Sequence, residues 1–194
     1  PAVQTVAPNL GGVAQVISGN QNWSTGVTGT TPGMLVVRDW QISEGRSFTD
    51  DDVRGATKVC LLGQTVVENL FGSIYSIGQV VRIKNVPFTV IGVLDRKGQS
   101  PNGQDQDDTI WIPVTTAQKK IFGTTFPGMV RIVMVKARST EDLPAAEEQI
   151  KELLRQRHRI GQKQDDDFTV RNLTQMMQAA EQSARIMALL LGSI

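Results

Sequence analysis

Apolar positions along this chain recur at periods of two and 3.6 in alternation, which predicts a mixed α+β domain, neither a helical bundle nor a sandwich. Residues 13–17 and 26–30 read as strands on either side of the polar loop Ser18-Gly19-Asn20-Gln21-Asn22-Trp23. A short helix is expected after Pro32, and Thr49-Asp50-Asp51-Asp52 supplies the acceptor side chains of another helix start. Residues 58–62 predict a strand. Residues 64–71 predict a helix with Val66, Val67, Leu70 and Phe71 on one stripe and Gly72 as its terminator. The strongest β signal is 78–94, two β-branched runs around Lys84-Asn85, which reads as a hairpin. Pro87 has no N–H to donate, so it belongs at an edge or at its strand's start.

Downstream, the polar segment 95–108 is the best candidate for a mobile connection. A strand at 109–112, a helix at 116–122 and a strand at 130–136 follow. Asp142 is placed to cap the next helix, with Pro144 in its first turn and Leu143, Ala146, Ile150, Leu153 and Leu154 on its inner face. That helix is expected to end near Arg157-His158-Arg159, and the linker 161–167 to lead into a strand at 168–171. In the last helix Leu173, Met176, Met177, Ala180, Ala184 and Met187 form one stripe, and from Ile186 the sequence is apolar on nearly every side. Such a stretch needs a protein core or a bilayer. The run 186–194 is far shorter than the roughly 20 residues that span a membrane, so pattern alone leaves a core helix and a membrane helix both open. Pro1 is neither an initiator Met nor part of a signal peptide, and the chain reads as a segment of a longer protein.

Composition narrows the function. Twenty basic and 19 acidic residues give a formal charge of +1 with both signs scattered, which offers no footprint for nucleic acid. The single cysteine, Cys60, lies within an apolar run and is expected to be a buried, inert thiol. An enzyme would need a nucleophile, an acid and base, or a phosphate cradle. His158 is the only histidine, it stands among arginines at a helix C-terminus, and a structural role is expected for it. Gly98 and Gly103 have the spacing of a P-loop's flanking glycines, but Gln104-Asp105 replaces the Lys and Ser/Thr that hold phosphate and magnesium. Asp105, Asp107 and Asp108 lack the spaced ligands of a calcium loop and read as a solvated acidic segment. Trp23, Trp40 and Trp111 are candidate partner anchors, against the simpler expectation of partial burial. No catalytic, cofactor or metal site is expected. The candidate partner contacts are Asn20, Trp23, Arg96, Lys97, Gln99, Asp105 and Asp107, on segments that composition marks as exposed.

Several strings occur in a fixed order: Gly45-Arg46-Ser47-Phe48-Thr49 before an acidic run, Lys58-Val59-Cys60-Leu61-Leu62-Gly63 with Asn69-Leu70-Phe71, and Gly78-Gln79 with 83–93. Lys97-Gly98-Gln99-Ser100, the run 104–108 and 153–159 before Asp167-Phe168 complete the set. Together, from about residue 6 to residue 194, they resemble the periplasmic core domain of MacB-type ABC transporter permeases, the macrolide-exporter family within the FtsX-like superfamily. The resemblance implies two lobes, a base formed by both chain ends (1–39 with 108–185) and an inserted smaller α/β lobe (40–107), with 186–194 as the start of a membrane helix. It implies a non-enzymatic domain facing the periplasm from the inner membrane, with ATP and magnesium bound in a separate nucleotide-binding domain. Partners implied are a periplasmic adaptor, an outer-membrane channel and a second permease copy. The domain would relay ATP-driven helix motion outward for export of a drug, peptide or toxin. Met177, Ala184 and Met187 would lie on the coupling helix, which no Gly or Pro interrupts. A lipoprotein-releasing permease domain and a static extracytoplasmic ligand-binding module are the alternatives. The static module predicts a concave pocket with convergent polar groups, the relay a solid core.

Overall fold

We describe a computed structural model of the 194-residue chain, covering residues 2–100, 103–124, 126 and 128–191. For Met177, Ala179, Ala180, Glu181, Ala184 and 189–191 the description extends to the backbone only. The predicted α+β class holds. The strands are β1 (Val3–Ser18), β2 (Gln21–Thr30), β3 (Ile42–Gly45), β4 (Val59–Leu62), β5 (Val80–Ile83), β6 (Val86–Leu94), β7 (Thr109–Pro113) and β8 (Ile132–Ala137). The helices are α1 (Gly33–Val37), α2 (Asp50–Gly55), α3 (Gln64–Phe71), α4 (Val114–Thr116) with a π-helical extension over Ala117–Phe122, α5 (Leu143–His158) and α6 (Leu173–Leu191). Contacts group the chain into two compact units, Thr5–Lys136 and Pro1–Gln4 with Ala137–Ile194.

The larger unit is built on a closed mixed barrel. Strands pair in the ring order β1-β2-β7-β4-β6-β5 and back to β1, while β3 and β8 attach to β6 and β1. The β2–β7 and β4–β6 pairs are parallel, and the remaining ring pairs are antiparallel. Closure follows from a strand longer than its apolar pattern suggests. β1 pairs with β2 from Leu10↔Gly29 to Ser18↔Gln21 and also reaches β5 at Val16↔Ile83. The expected six-residue loop at 18–23 is therefore a two-residue turn, Gly19-Asn20, with Trp23 already in β2.

Alternation along the strands feeds two apolar clusters. Cys60 and Leu62 of β4, Ile110 and Ile112 of β7, and Phe88 and Val90 of β6 join Val66, Leu70 and Phe71 of α3 in one cluster. Leu61, Trp111 and Leu94, from the same three strands, join Met34, Trp40 and Phe48 in the other. Strands β4 and β7 are thus buried on both faces, which is why their sequences are continuously apolar. Cys60 is fully buried, and burial pushes its thiol pKa up, as expected of an inert cysteine. Trp40 and Trp111 are 3% and 4% exposed and meet edge to face with ring centroids 5.1 Å apart.

The hairpin β5–β6 turns at Lys84-Asn85, both at positive φ, and Pro87 precedes the stretch of β6 that β4 pairs from Thr89 onward. The expected division at residues 40 and 107 is not shown by this sheet. The ring takes β4–β6 from within 40–107 and β1, β2 and β7 from outside it. β3 went unpredicted because Ile42–Gly45 is largely exposed, and only its pairing with β6 makes it a strand.

In the other unit α5 begins and ends as expected, with Pro144 in its first turn and Arg159 closing it at positive φ. Asp142 does not cap it through its side chain; its carboxylate instead accepts from Ser139 Oγ at 3.1 Å. The expected strand at 168–171 does not form. Phe168 stacks edge-on against His158 (5.9 Å, 89°), and the His158 ring lies 2.7 Å from Asp167, giving the histidine its structural role. Arg155 ties the linker down, donating to Asp166 and to the carbonyls of Gly161 and Gln164. α6 opens with Asn172 accepting from Gln175 N–H at 3.2 Å. Of its expected stripe, the described side chains Leu173, Met176 and Met187 are 59%, 52% and 65% exposed.

Candidate partner surface

The segment between β6 and β7 carries most of the predicted contact residues, and its architecture follows from one carboxylate. Asp107 is 2% exposed and accepts the backbone N–H groups of Lys97 (2.8 Å) and Gly98 (2.9 Å), one on each oxygen. Gln106 N–H donates to Gly98 carbonyl and Ser100 N–H to Gln104 carbonyl, with Gln99 bridged to Asp105, so the segment folds as a small hairpin. Its described residues are pinned by these bonds, in contrast to the mobile connection expected. Gly63, at the N-terminus of α3, lets the segment close: a Cβ there would stand 2.1 Å from the Asp107 carbonyl oxygen. Asp107 therefore works inside the fold, and its side chain is not presented to a partner.

The other predicted residues reach the surface from fixed supports. Asp105 is exposed and takes Thr65 Oγ1 of α3 at 2.6 Å on one oxygen and Asp107 N–H on the other. Arg96 pairs with Glu68, also on α3, and that carboxylate raises the guanidinium's pKa further above its usual range. Lys97 donates to the Arg38 carbonyl, and its ammonium lies over the Trp40 ring at 5.2 Å from the centroid. Gln99 is exposed. Trp23 reaches across from β2, its indole N–H donating to Asp108 at 2.8 Å, so the structure brings this tryptophan to the hairpin's base. Asn20 stands on the exposed β1–β2 turn.

Sequence reasoning missed the supporting residues Thr65, Glu68 and Gly63. Their signal was weak: two polar positions off the apolar stripe of α3, and a glycine just before a helix. The resulting surface is polar and ion-paired. Among the described residues no three His, Cys, Asp or Glu side chains converge where a metal could bind. On α6, expected to act as a coupling helix, Met187 is exposed, while the side chains of Met177 and Ala184 lie outside the described residues. No helix among the described residues is long and apolar enough to cross a membrane.

A family described as the MacB-like periplasmic core domain matches residues 1–153. The macrolide export ATP-binding/permease protein MacB of Syntrophobacter fumaroxidans is 36% identical over an alignment that covers all of this chain and 34% of that protein. The pyoverdine export ATP-binding/permease protein PvdT of Pseudomonas aeruginosa is 37% identical, again over the whole chain and 28% of its own length. The chain thus spans about a third of these relatives. Among solved structures, the periplasmic region of MacB from Actinobacillus actinomycetemcomitans superposes with a TM-score of 0.73 at 26% identity, over 93% of this chain and 77% of that one. The extracellular domain of the transporter YknZ from Gram-positive bacteria shares the fold at a TM-score of 0.67 and 21% identity, over 81% of this chain and 77% of its own.

Proposed function

The chain belongs to the MacB-like periplasmic core domain family, the periplasmic part of a MacB/PvdT-type ABC permease, and from that premise we propose that it is a non-catalytic mechanical relay. In this reading ATP is hydrolysed in a separate nucleotide-binding domain. The resulting motion of the membrane helices passes through this domain to a periplasmic adaptor and an outer-membrane channel, and so drives export. In this reading the run 186–194, of which 192–194 lie outside the described residues, begins the second membrane helix, and the parent permease works as a homodimer. The relatives' names concern macrolides and pyoverdine, and the cargo here is of that broad exported class. Arg96, Lys97, Gln99, Asp105, Asn20 and Trp23 form the adaptor-facing surface in this proposal.

One observation carries the reading: α6 is a single helix of 19 residues, Leu173–Leu191, with no Gly or Pro to act as a hinge. A tilt at its C-terminal end must then move its N-terminal end. The filled barrel supports the same reading, since a close-packed core transmits displacement instead of absorbing it. The test inserts a Gly-Gly pair after Ala184 in the full transporter. ATP hydrolysis is expected to continue while export is lost, and unchanged export would overturn the relay.

A further inference from the structure

Within the barrel unit, beside the 95–108 hairpin, lies a cleft of about 320 Å³ that shares Asp105 with the partner surface. This is the small end of the ligand-sized range. Met34, Trp40 and Trp111 line it, each at most 4% exposed. Two carboxylates also line it, and both are already engaged. Asp105 accepts on both oxygens, from Asp107 N–H and Thr65 O–H, and Asp108 accepts the Trp23 indole N–H. The free capacity lies elsewhere. Among the described residues, the Arg38 guanidinium and the side-chain amides of Gln104 and Gln106 have no hydrogen-bond or ion-pair partner. Lys97, held at the Arg38 carbonyl, adds a second positive charge nearby.

We propose that this cleft binds a short extended peptide bearing a carboxylate, with the carboxylate on Arg38 and peptide groups on Gln104 and Gln106. A guanidinium matches a planar carboxylate with two parallel donors. A primary carboxamide donates and accepts as a peptide group does, so two unpartnered ones suit a backbone better than they suit a bare ion. The charges point the same way. Asp105 and Asp108 on the wall oppose a multiply charged anion such as phosphate, whereas a singly charged carboxylate faces them at less cost. The proposal stands apart from the relay, because a rigid lever can carry a peptide site or lack one.

The test is an NMR titration of the 194-residue chain with acetyl-Ala-Ala-Ala, against its C-terminal amide and against inorganic phosphate. Saturable shifts are expected at the indole signals of Trp40 and Trp111, with the amide binding about tenfold more weakly. Arg38→Gln should abolish the preference for the acid. Arg38 has no partner to lose, so the variant should keep its spectrum; should it unfold, Gln106→Glu decides, with an expected severalfold loss for the acid peptide. The proposal is overturned by absence of saturable shifts with the acid peptide, by equal binding of acid and amide, or by a preference that survives Arg38→Gln. It is equally overturned if Gln106→Glu leaves acid-peptide affinity unchanged, or if phosphate binds as well as the peptide.

Discussion

The barrel unit and the unit made by the chain ends obey different physics. In the first, strands contribute side chains to both faces, and residues such as Phe88, Leu61, Leu62, Ile110 and Ile112 are fully buried. In the second, two helices of 16 and 19 residues carry apolar stripes, yet Ala2 and Ala146 are its only buried apolar residues among those described. Leu153, expected on the inner face of α5, is 51% exposed. The local order of this unit rests on polar clasps, Arg155 with Asp166 and His158 with Asp167. Hydrophobic burial scales with area removed from water, whereas partly exposed ion pairs contribute little. The barrel thus holds most of the buried apolar surface among the described residues, whereas the helical unit relies largely on partly exposed polar contacts.

The largest test of this contrast is a pair of truncations. Phe88→Ala empties a fully buried site in the barrel and is expected to cost about 3–5 kcal/mol in urea unfolding followed by tryptophan fluorescence. Leu153→Ala on α5 is expected to cost under about 1 kcal/mol, because half of that side chain already faces water. Comparable losses would erase the distinction between the two units.

The same contrast explains what was legible beforehand. Strands β4 and β7, the β5–β6 hairpin and α3 are readable because each carries its own periodic apolar residues, such as Cys60 and Leu62 or Val66 and Leu70. β1 is not, because Pro8, Gly11 and Gly12 interrupt its pattern and its length is set by partners far along the chain. Segment 168–171 looks like a strand locally, but Phe168 packs on His158 and no strand pairs with it. The candidate surface was legible as exposed and polar, but not in its construction. Asp107 is one of several acids in the run 104–108, and nothing in sequence marks it as the one turned inward.

Two intermediate effects probe how the barrel holds its surface. Gly63→Ala drives a Cβ into the Asp107 carbonyl and should cost roughly 2–3 kcal/mol by overpacking against backbone, which cannot step aside. Asp107→Asn keeps the shape but turns one acceptor into a donor facing an N–H, at an expected cost of about 1.5–3 kcal/mol. Both variants should raise hydrogen exchange at Lys97 and Gly98. Normal protection there in Asp107→Asn would mean the hairpin closes without its carboxylate.

The smallest effect is also the one with a pH signature. Thr49 and Asp52 form a reciprocal cap at the start of α2: Thr49 Oγ1 accepts Asp52 N–H at 3.3 Å, and Asp52 accepts Thr49 N–H at 2.9 Å. The Thr49 N–H, followed by the Thr57 and Thr49 hydroxyls and the Arg46 charge, holds the Asp52 carboxyl below its usual pKa, against a smaller opposing effect of partial burial. Because the folded value lies below the unfolded one, the carboxylate's contribution is fully present above the unfolded pKa of about 3.9 and is lost as pH falls through the folded value. Asp52→Asn should therefore cost about 1 kcal/mol at neutral pH. The gap between wild type and variant should narrow below about pH 4, where wild type loses the same charge. A gap that stays constant down to pH 2 would place the stabilisation in the shape of the cap and not in its charge.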